Sequence, residues 1–334
     1  FLTAGMPASP SARWACGLLG VFLGLSAFVG TNLVTKSYMA PVIEACSAGP
    51  DAVAKAGLHA YEGRIGGQFA CIVTQFIYDL SQRPAGVLVW GVIIGISFPI
   101  SLALAAEAGR AGAHGPVLYP TLVMAVSQVL GISVGFPLFW IPGFAYGGAS
   151  GALAPGRVWV AIALLPVAII LTLLVFVVDP ASPTWTLSAG LLTSPLIALP
   201  QLLLLAYPAP PKDAPPAAYA RGQHALVSGY TVLFLLSLVA WVLNVTLAAK
   251  SFSSLGAVWD SLWPSAHPSV AFMTIDTVVL YAGLLVYIFL GGAAGAMGAV
   301  LLTPFVGPGA ACSLVLALRE RARAELGPEG AKRD

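Results

Sequence analysis

Apolar residues in this chain fall into long unbroken runs rather than into alternating or one-sided patterns. A helix needs about 20 apolar residues to cross the hydrocarbon core of a bilayer, and eight runs approach or exceed that length. They cover residues 14–33, 86–106, 117–140, 158–178, 184–207, 225–247, 270–290 and 293–318. We therefore predict an all-α fold, a polytopic membrane helix bundle with about eight transmembrane helices, forming a single transmembrane domain over residues 1–334.

The composition agrees with this class. Of the 334 residues, 58% are hydrophobic and 8% are charged, against roughly 25% charged residues in an ordinary soluble domain. The formal net charge is +2 and the body of the chain holds no basic run, so we expect no nucleic acid partner. The four cysteines lack the spacing that ligates zinc or a cluster, and we expect neither a metal nor another cofactor.

An even number of spans places both termini on one face of the membrane. When the connections between the eight spans are sorted by face, the terminal face holds eight Lys and Arg and the other face holds seven. This difference is too small to establish the orientation in the membrane. The cluster Arg319, Arg321 and Arg323 follows the last run directly and favours cytosolic termini. We expect an integral membrane protein of the endoplasmic reticulum with membrane lipid as its surroundings.

Two connections are long enough to hold structure. The first, residues 34–84, contains an apolar patch at 69–78 that predicts a re-entrant or interfacial helix, a candidate lid over one end of the bundle. The same connection holds Cys46 and Cys71, and the sequence leaves open whether they are paired or free. The second connection holds Trp259 and Trp263, which are typical of interface anchors and are also predicted to contact the substrate.

Ionisable groups inside apolar spans are costly and are retained mainly where they act. Glu107 ends the second run, Asp276 lies about two turns inside the seventh, and Arg319 closes the eighth. Span direction places all three near the terminal face, so we predict that Glu107 and Asp276 open on a common cavity there. Tyr119 and Asn244 are predicted to line the same pocket.

The structural alternatives for these residues stay open. A carboxyl among apolar groups favours its protonated form unless a cation pairs with it, so Asp276 is either a proton donor or a partner in a buried ion pair or backbone contact. Glu107 and Arg319 could equally be span-end anchors whose charges reach water.

Three patches carry a resemblance to a known family. Residues 89–107 read VWGVIIGISFPISLALAAE, residues 131–137 read GISVGFP, and residues 307–311 read GPGAA. The first resembles the glycine-rich, Ser-x-Pro second span of fungal integral-membrane terpene cyclases of meroterpenoid biosynthesis, the ascochlorin/ascofuranone type. Glu107 matches the carboxylate position of that family, and Arg319 matches a basic residue near its last span.

The resemblance implies an enzyme that protonates the terminal epoxide of a farnesyl chain on an aromatic ring and cyclises the resulting cation without a metal. Its substrate would be a hydrophobic prenylated aromatic, and Glu107, Asp276 and Arg319 would be its catalytic residues. A second class remains, a proton-coupled small-molecule transporter or lipid-binding membrane protein with Asp276 or Glu107 as the coupling group. The absence of an internal sequence repeat argues against a transporter. A third hypothesis is a structural or assembly factor without catalytic activity.

Overall fold

The computed structural model describes residues 9–59, 67–149, 151–263 and 267–331. Residues 60–66 of the first long connection, and the outermost residues of the predicted domain, therefore lie outside the described part of the chain. Within these ranges every named element is a helix, and Arg110 and Leu153 form an isolated bridge.

Fourteen α-helices form the described fold. In chain order they are α1 (Pro10–Ala48), α2 (Pro50–Lys55), α3 (Gly67–Ser81), α4 (Pro84–Glu107), α5 (Pro120–Leu130), α6 (Ile132–Gly135), α7 (Ile141–Gly147), α8 (Pro155–Val177), α9 (Pro183–Thr193), α10 (Pro216–Ser251), α11 (Leu255–Ser261), α12 (Pro268–Phe289), α13 (Ala293–Val306) and α14 (Pro308–Ala331). A π-helical turn, Phe136–Trp140, joins α6 to α7, and 3₁₀ helices cover Gly115–Leu118 and Pro195–Ala206. The last of these is called the 195–206 helix below.

Five of the described helices are long and apolar enough to cross a membrane, namely α1, α4, α8, α10 and α12. The bent pair formed by α9 and the 195–206 helix makes a sixth span if it counts as one. The chain is thus consistent with an integral membrane protein, but the predicted count of about eight spans is not reached. Below, end A is the end of the bundle where α1 begins, and end B is the end where α1 finishes.

The central helix is α4. Of its most apolar stretch, 67% of the residues are buried, which is the highest share among the five spans. It runs from end B to end A, and α8 and α10 lie antiparallel to it. The Arg157 side chain at the start of α8 donates to the Ala105 carbonyl near the end of α4, at 3.0 Å. On α10, the Ser237 hydroxyl donates to the Gly95 carbonyl at 3.2 Å, halfway along α4.

The predicted span at 117–140 is instead part of a helical hairpin, here called the first hairpin, made of α5 and the α6–α7 limb. Its two ends meet, because the His114 amide donates to the Gly147 carbonyl at 3.0 Å. Its tip is Gly131, whose φ of 97° stops α5 after 11 residues. At about 1.5 Å per residue α5 is only about 16 Å long, which is too short to cross the bilayer.

The predicted span at 293–318 is also a hairpin, here called the second hairpin, made of α13 and α14. Gly291 lies beside Arg319, since a Cβ added at Gly291 would come within 2.8 Å of the arginine Cδ. The chain therefore returns to the level at which α12 ended. Its tip is Gly307, with a φ of 83°, packed against the Trp241 ring of α10. Replacing two spans by two hairpins keeps the crossing number even, so the described N- and C-terminal helices still share end A.

The first hairpin is held to α1 by a stripe of small residues. Gly17, Gly20, Gly24 and Ala27 recur at helical spacing and are buried. A Cβ added at Gly20 would lie 2.7 Å from the Pro137 carbonyl oxygen. Small residues permit this close backbone approach, which is how helices pack strongly within a bilayer.

At end B, helix α3 lies antiparallel to the last turns of α1. A disulfide joins Cys46 on α1 to Cys71 on α3, with a Cα–Cα distance of 5.9 Å, so the pairing that the sequence left open is present. Further along, the Tyr38 hydroxyl donates to Asp79 at 2.5 Å. Helix α3 therefore packs beside the last turns of α1 at end B, further toward that end than the first hairpin.

Candidate functional site

The first hairpin leaves an apolar cavity, here called the chamber, between its tip and end B. The chamber has a volume of about 1020 Å³ and is lined by α1, α3, α4, α5, α8, the α9 and 195–206 pair, and α12. It exists because α5 stops at Gly131, so the depth that a full span would fill remains open toward end B. Six aromatic side chains line it: Phe28, Phe69, Phe76, Trp90, Phe98 and Phe272.

Asp276 lies in the chamber wall at the tip of the first hairpin. Its side chain is 4% exposed, and its Oδ1 accepts hydrogen bonds from the Ser133 hydroxyl and from the Ser133 amide, the latter at 3.3 Å. Ser133 is the second residue of α6, so the carboxyl of α12 caps a helix that begins inside the bundle. A carboxyl oxygen at this position satisfies a backbone N–H group that the start of a helix leaves unpaired. No cation within the described ranges forms an ion pair with Asp276.

A second group of polar residues, here called the end-A cluster, consists of Glu107, Arg110, Tyr287, Arg319, Glu320 and Arg323. Glu320 accepts from three guanidinium groups, those of Arg110 at 2.9 Å, Arg319 at 3.1 Å and Arg323 at 3.0 Å. Glu107 pairs with Arg110 at 2.9 Å. The cluster joins α4, α12 and the second hairpin at end A.

Tyr287 links the two sides of the end-A cluster. Its hydroxyl donates to Glu107 Oε1 at 2.9 Å and accepts from Arg319 at 2.7 Å, while the Arg319 guanidinium lies 4.9 Å from the Tyr287 ring centroid. Two carboxylates face three guanidinium groups, so the cluster has a formal excess of one positive charge. Because Glu107, Arg110 and Glu320 are almost fully buried, these pairs must remain together for the charges to be compensated.

The prediction that Glu107 and Asp276 share one cavity is wrong. Asp276 lines the chamber and Glu107 does not, and Glu107 bonds instead to Tyr287, 11 residues further along α12 than Asp276. At about 1.5 Å per residue the two carboxyls differ in depth by about 16 Å. The reason is the direction of α12: because the first hairpin, which precedes α12, replaces one span, α12 starts at end B rather than at the terminal face.

The other predicted site residues lie outside the chamber as well. Tyr119 is 60% exposed at the start of α5, and Asn244 is buried against Gly91 of α4. Trp259 and Trp263 lie edge to face at end B, on α11 and just beyond it, with ring centroids 5.1 Å apart. The structure therefore brings Glu107 and Arg319 together in the end-A cluster and places Asp276 apart from both.

Sequence reasoning missed the groups that complete both sites. Arg110 and Glu320 neutralise their neighbours, yet they are separated by 210 residues in the chain, so their pairing has no local signal. The pairing of Glu107 with Arg110 does have one, since positions i and i+3 face each other on a helix. Lys36 also lines the chamber, and nothing in the surrounding sequence distinguishes it from other lysines near a span end.

No protein-family model matches this chain, and no curated protein or solved structure matches it either. The likeness to membrane terpene cyclases therefore consists of its three sequence patches alone.

Proposed function

We propose that the chamber binds a hydrophobic molecule with a prenyl chain and that Asp276 donates the proton that starts its cyclisation. The observation that carries the proposal is a carboxyl that forms no ion pair with any described residue and lies in the wall of an apolar cavity of about 1020 Å³. Pockets that bind small molecules usually measure about 300–1,000 Å³ and are mostly apolar with few polar groups. A farnesylated aromatic belongs to this class of ligand.

The chamber walls suit a reaction that passes through a carbocation. Six aromatic side chains line the space, and aromatic faces stabilise positive charge. When a proton passes from the Asp276 carboxyl to an epoxide oxygen, the C–O bond breaks and leaves a hydroxyl and a cation. A double bond of the same chain then attacks the cation, and the cyclised cation finally loses a proton to the Asp276 carboxylate. The acid is thereby restored, and atoms and charges balance without a further reactant.

Asp276 is better suited than Glu107 to hold that proton. Glu107 is bound by Arg110 and Tyr287 and lies 4.0 Å from Arg319. Glu107 therefore belongs to a closed network of buried charges at end A, whereas the Asp276 carboxyl, which bonds to Ser133 and to no described cation, faces the apolar space of the chamber. We therefore assign the acid to Asp276 and give Glu107 and Arg319 the structural role of holding the second hairpin at end A.

The test is product formation from an epoxyfarnesyl phenol in membranes that contain equal amounts of each variant. We expect Asp276→Asn to lower turnover by at least 10²–10⁴-fold, the contribution of a positioned general acid. The amide keeps the size of the side chain and an oxygen that accepts from Ser133, so the chamber should stay intact. Normal turnover in Asp276→Asn would refute the assignment of the acid.

Ser133→Ala is the matched control for the hydrogen bonds at the hairpin tip. It removes the hydroxyl that bonds to Asp276 and keeps the backbone amide and the carboxyl. We expect turnover in this variant within about tenfold of wild type. If both variants lose turnover equally, the effect belongs to the hairpin tip and not to proton donation.

Proton-coupled transport is the second candidate, and one observation favours it. The α6–α7 limb begins inside the bundle with Asp276 at its N-terminus, and broken helices with a binding site at mid-depth are typical of secondary transporters. In this case Asp276→Asn would abolish proton-coupled flux of a lipid-like solute in sealed vesicles. Flux without any covalent product would favour the transporter over the cyclase.

We also propose that end A faces the cytosol and that end B faces an oxidising lumen such as that of the endoplasmic reticulum. Among the described residues, eight Lys and Arg lie toward end A: Arg13, Arg110, Arg157, Lys212, Arg221, Arg319, Arg321 and Arg323. Four lie toward end B: Lys36, Lys55, Arg83 and Lys250. An excess of Lys and Arg marks the cytosolic side, and the disulfide at end B fits an oxidising compartment.

A further inference from the structure

The chamber opens sideways toward the surrounding lipid. Some of its lining side chains are also exposed on the outside of the bundle, such as Leu33 on α1 at 72%, Val129 on α5 at 56% and Val167 on α8 at 45%. We call the exposed side of the chamber wall that these residues form, at the level of the tip of the first hairpin, the lateral window. A molecule dissolved in the bilayer can pass through this window without crossing water.

Lys36 is the described basic residue that lines the chamber. It is exposed, and none of the ion pairs within the described ranges involves it. One helical turn away on α1 are Asn32, which also lines the chamber, and Ala40. No acidic side chain therefore stands at the helical spacing that would pair with Lys36.

The depth of Lys36 matches that of a lipid head group. Gly30 of α1 packs on Ile275, the neighbour of Asp276, and Lys36 is six residues further toward end B, about 9 Å at the helical rise. Next to it, the Tyr38 ring contacts the ring of His267, which caps the start of the span α12, with centroids 5.3 Å apart. Lys36 thus lies where the span ends and the membrane interface begins, with the apolar chamber below it.

We infer that the ligand of the chamber is an amphiphile with an anionic head group, which enters through the lateral window from the bilayer half nearer end B and is bound at its head by Lys36. The inference rests on the proposed function in that the chamber must hold a hydrophobic molecule. The apolar tail would then reach from Lys36 down to Asp276. A carboxylate or a phosphate on a prenyl or acyl chain has the required chemistry.

The first test uses a palmitate that carries a photoreactive diazirine, together with its neutral methyl ester. Full-length protein is placed in phosphatidylcholine vesicles at about pH 8.5, where lysine is still charged, and labelled chamber peptides are quantified by mass spectrometry. We expect about fivefold more labelling by the acid than by the ester, the upper range for a partly exposed ion pair. Equal labelling by the two probes would overturn the inference.

Variants assign that preference to one side chain. Lys36→Met should remove the preference for the acid and Lys36→Arg should keep it. Lys250→Met is the matched control, since Lys250 is also exposed at end B but does not line the chamber, and it should label as wild type does. A preference that survives in Lys36→Met would overturn the role of Lys36.

Two further arms test the window and the source of the anion. Val129→Trp narrows the window and should lower labelling by both probes, whereas Val239→Trp, at a lipid-facing position on α10 that is 59% exposed, should not. Unchanged labelling in Val129→Trp would refute lateral access. Excess farnesoic acid or excess phosphatidic acid should compete with the probe. Stronger competition by farnesoic acid would identify a prenyl acid as the ligand, and stronger competition by phosphatidic acid would identify a phospholipid. If neither competes, the inference is wrong.

These measurements separate the inference from the proposed reaction, because labelling requires no turnover. Asp276→Asn should retain the acid preference even though it forms no product. A wild-type protein that labels as expected but forms no cyclised product would contradict the cyclase proposal and leave the amphiphile site standing.

Discussion

At the scale of single residues, the end-A cluster makes Glu107 a structural residue. In the Glu107→Gln variant only one carboxylate, that of Glu320, would remain to compensate the three guanidinium groups of the cluster. Removing one partner of a buried ion pair typically costs about 3–5 kcal/mol, because the remaining charge stays buried without compensation. We therefore expect Glu107→Gln to lower the midpoint of thermal unfolding markedly, measured by circular dichroism in detergent.

Glu325→Gln is the control for this experiment. Glu325 pairs with Arg321 on the exposed part of α14, where the two side chains are 69% and 70% exposed, and exposed pairs contribute little to stability. If Glu107→Gln unfolds like wild type and still loses turnover, Glu107 rather than Asp276 supplies the proton, as the family resemblance implies.

The cost of burying charge drew attention to residues that the structure places in buried polar contacts, but it gave no information about their partners. Glu107, Asp276 and Arg319 stood out in the sequence because charged groups in apolar runs are expensive. Their partners could not be predicted, since Ser133 and Asp276 are 143 residues apart and meet only when the first hairpin folds against α12.

At the scale of helices and connections, the Cys46–Cys71 disulfide attaches α3 to α1 at end B. The two cysteines are 25 residues apart, and closing a loop of that length stabilises the folded state by about 3.5 kcal/mol in the chain-entropy model. We expect reduction of the disulfide to speed amide hydrogen exchange in α3 while leaving α10 unchanged, as measured by mass spectrometry. Equal protection of α3 in both redox states would show that packing alone holds it over the chamber.

The two hairpins could not be predicted from the hydropathy pattern. Hydropathy cannot distinguish a run that crosses from one that turns back, because both are apolar throughout. The distinguishing signal is one glycine in each run, Gly131 and Gly307, at a backbone conformation that other residues rarely adopt. In a chain with 36 glycines, that signal is lost among glycines that serve close helix packing.

At the scale of the whole molecule, the hairpins exchange connections between the two faces. The eight-span prediction placed Arg157, Lys212 and Arg221 on the face opposite the termini. In the structure they lie toward end A, where α1 begins. The all-helical class and the shared end of the described N- and C-terminal helices survive this change, because two spans were removed together. The number of Lys and Arg residues on each face does change, because every connection between the two hairpins lies on the opposite face from the one predicted.

The proposed orientation can be checked with single cysteines in sealed microsomes. Ala217 is exposed at end A and Ser253 is exposed at end B, while the native Cys16 and Cys312 are buried. We expect a membrane-impermeant maleimide to label Ala217→Cys from outside and to label Ser253→Cys only after detergent is added. The reverse pattern would place end A in the lumen.

The lateral window determines the units in which affinity for this protein has to be expressed. A ligand that reaches the chamber from the bilayer is governed by its mole fraction among lipids and not by its concentration in water. Adding empty vesicles would spread such a ligand over more lipid and empty the chamber even though the total amount of ligand in the sample stayed constant. Occupancy therefore depends on how much membrane shares the ligand pool, so the same protein would be filled in a small organelle and vacant in an extensive one.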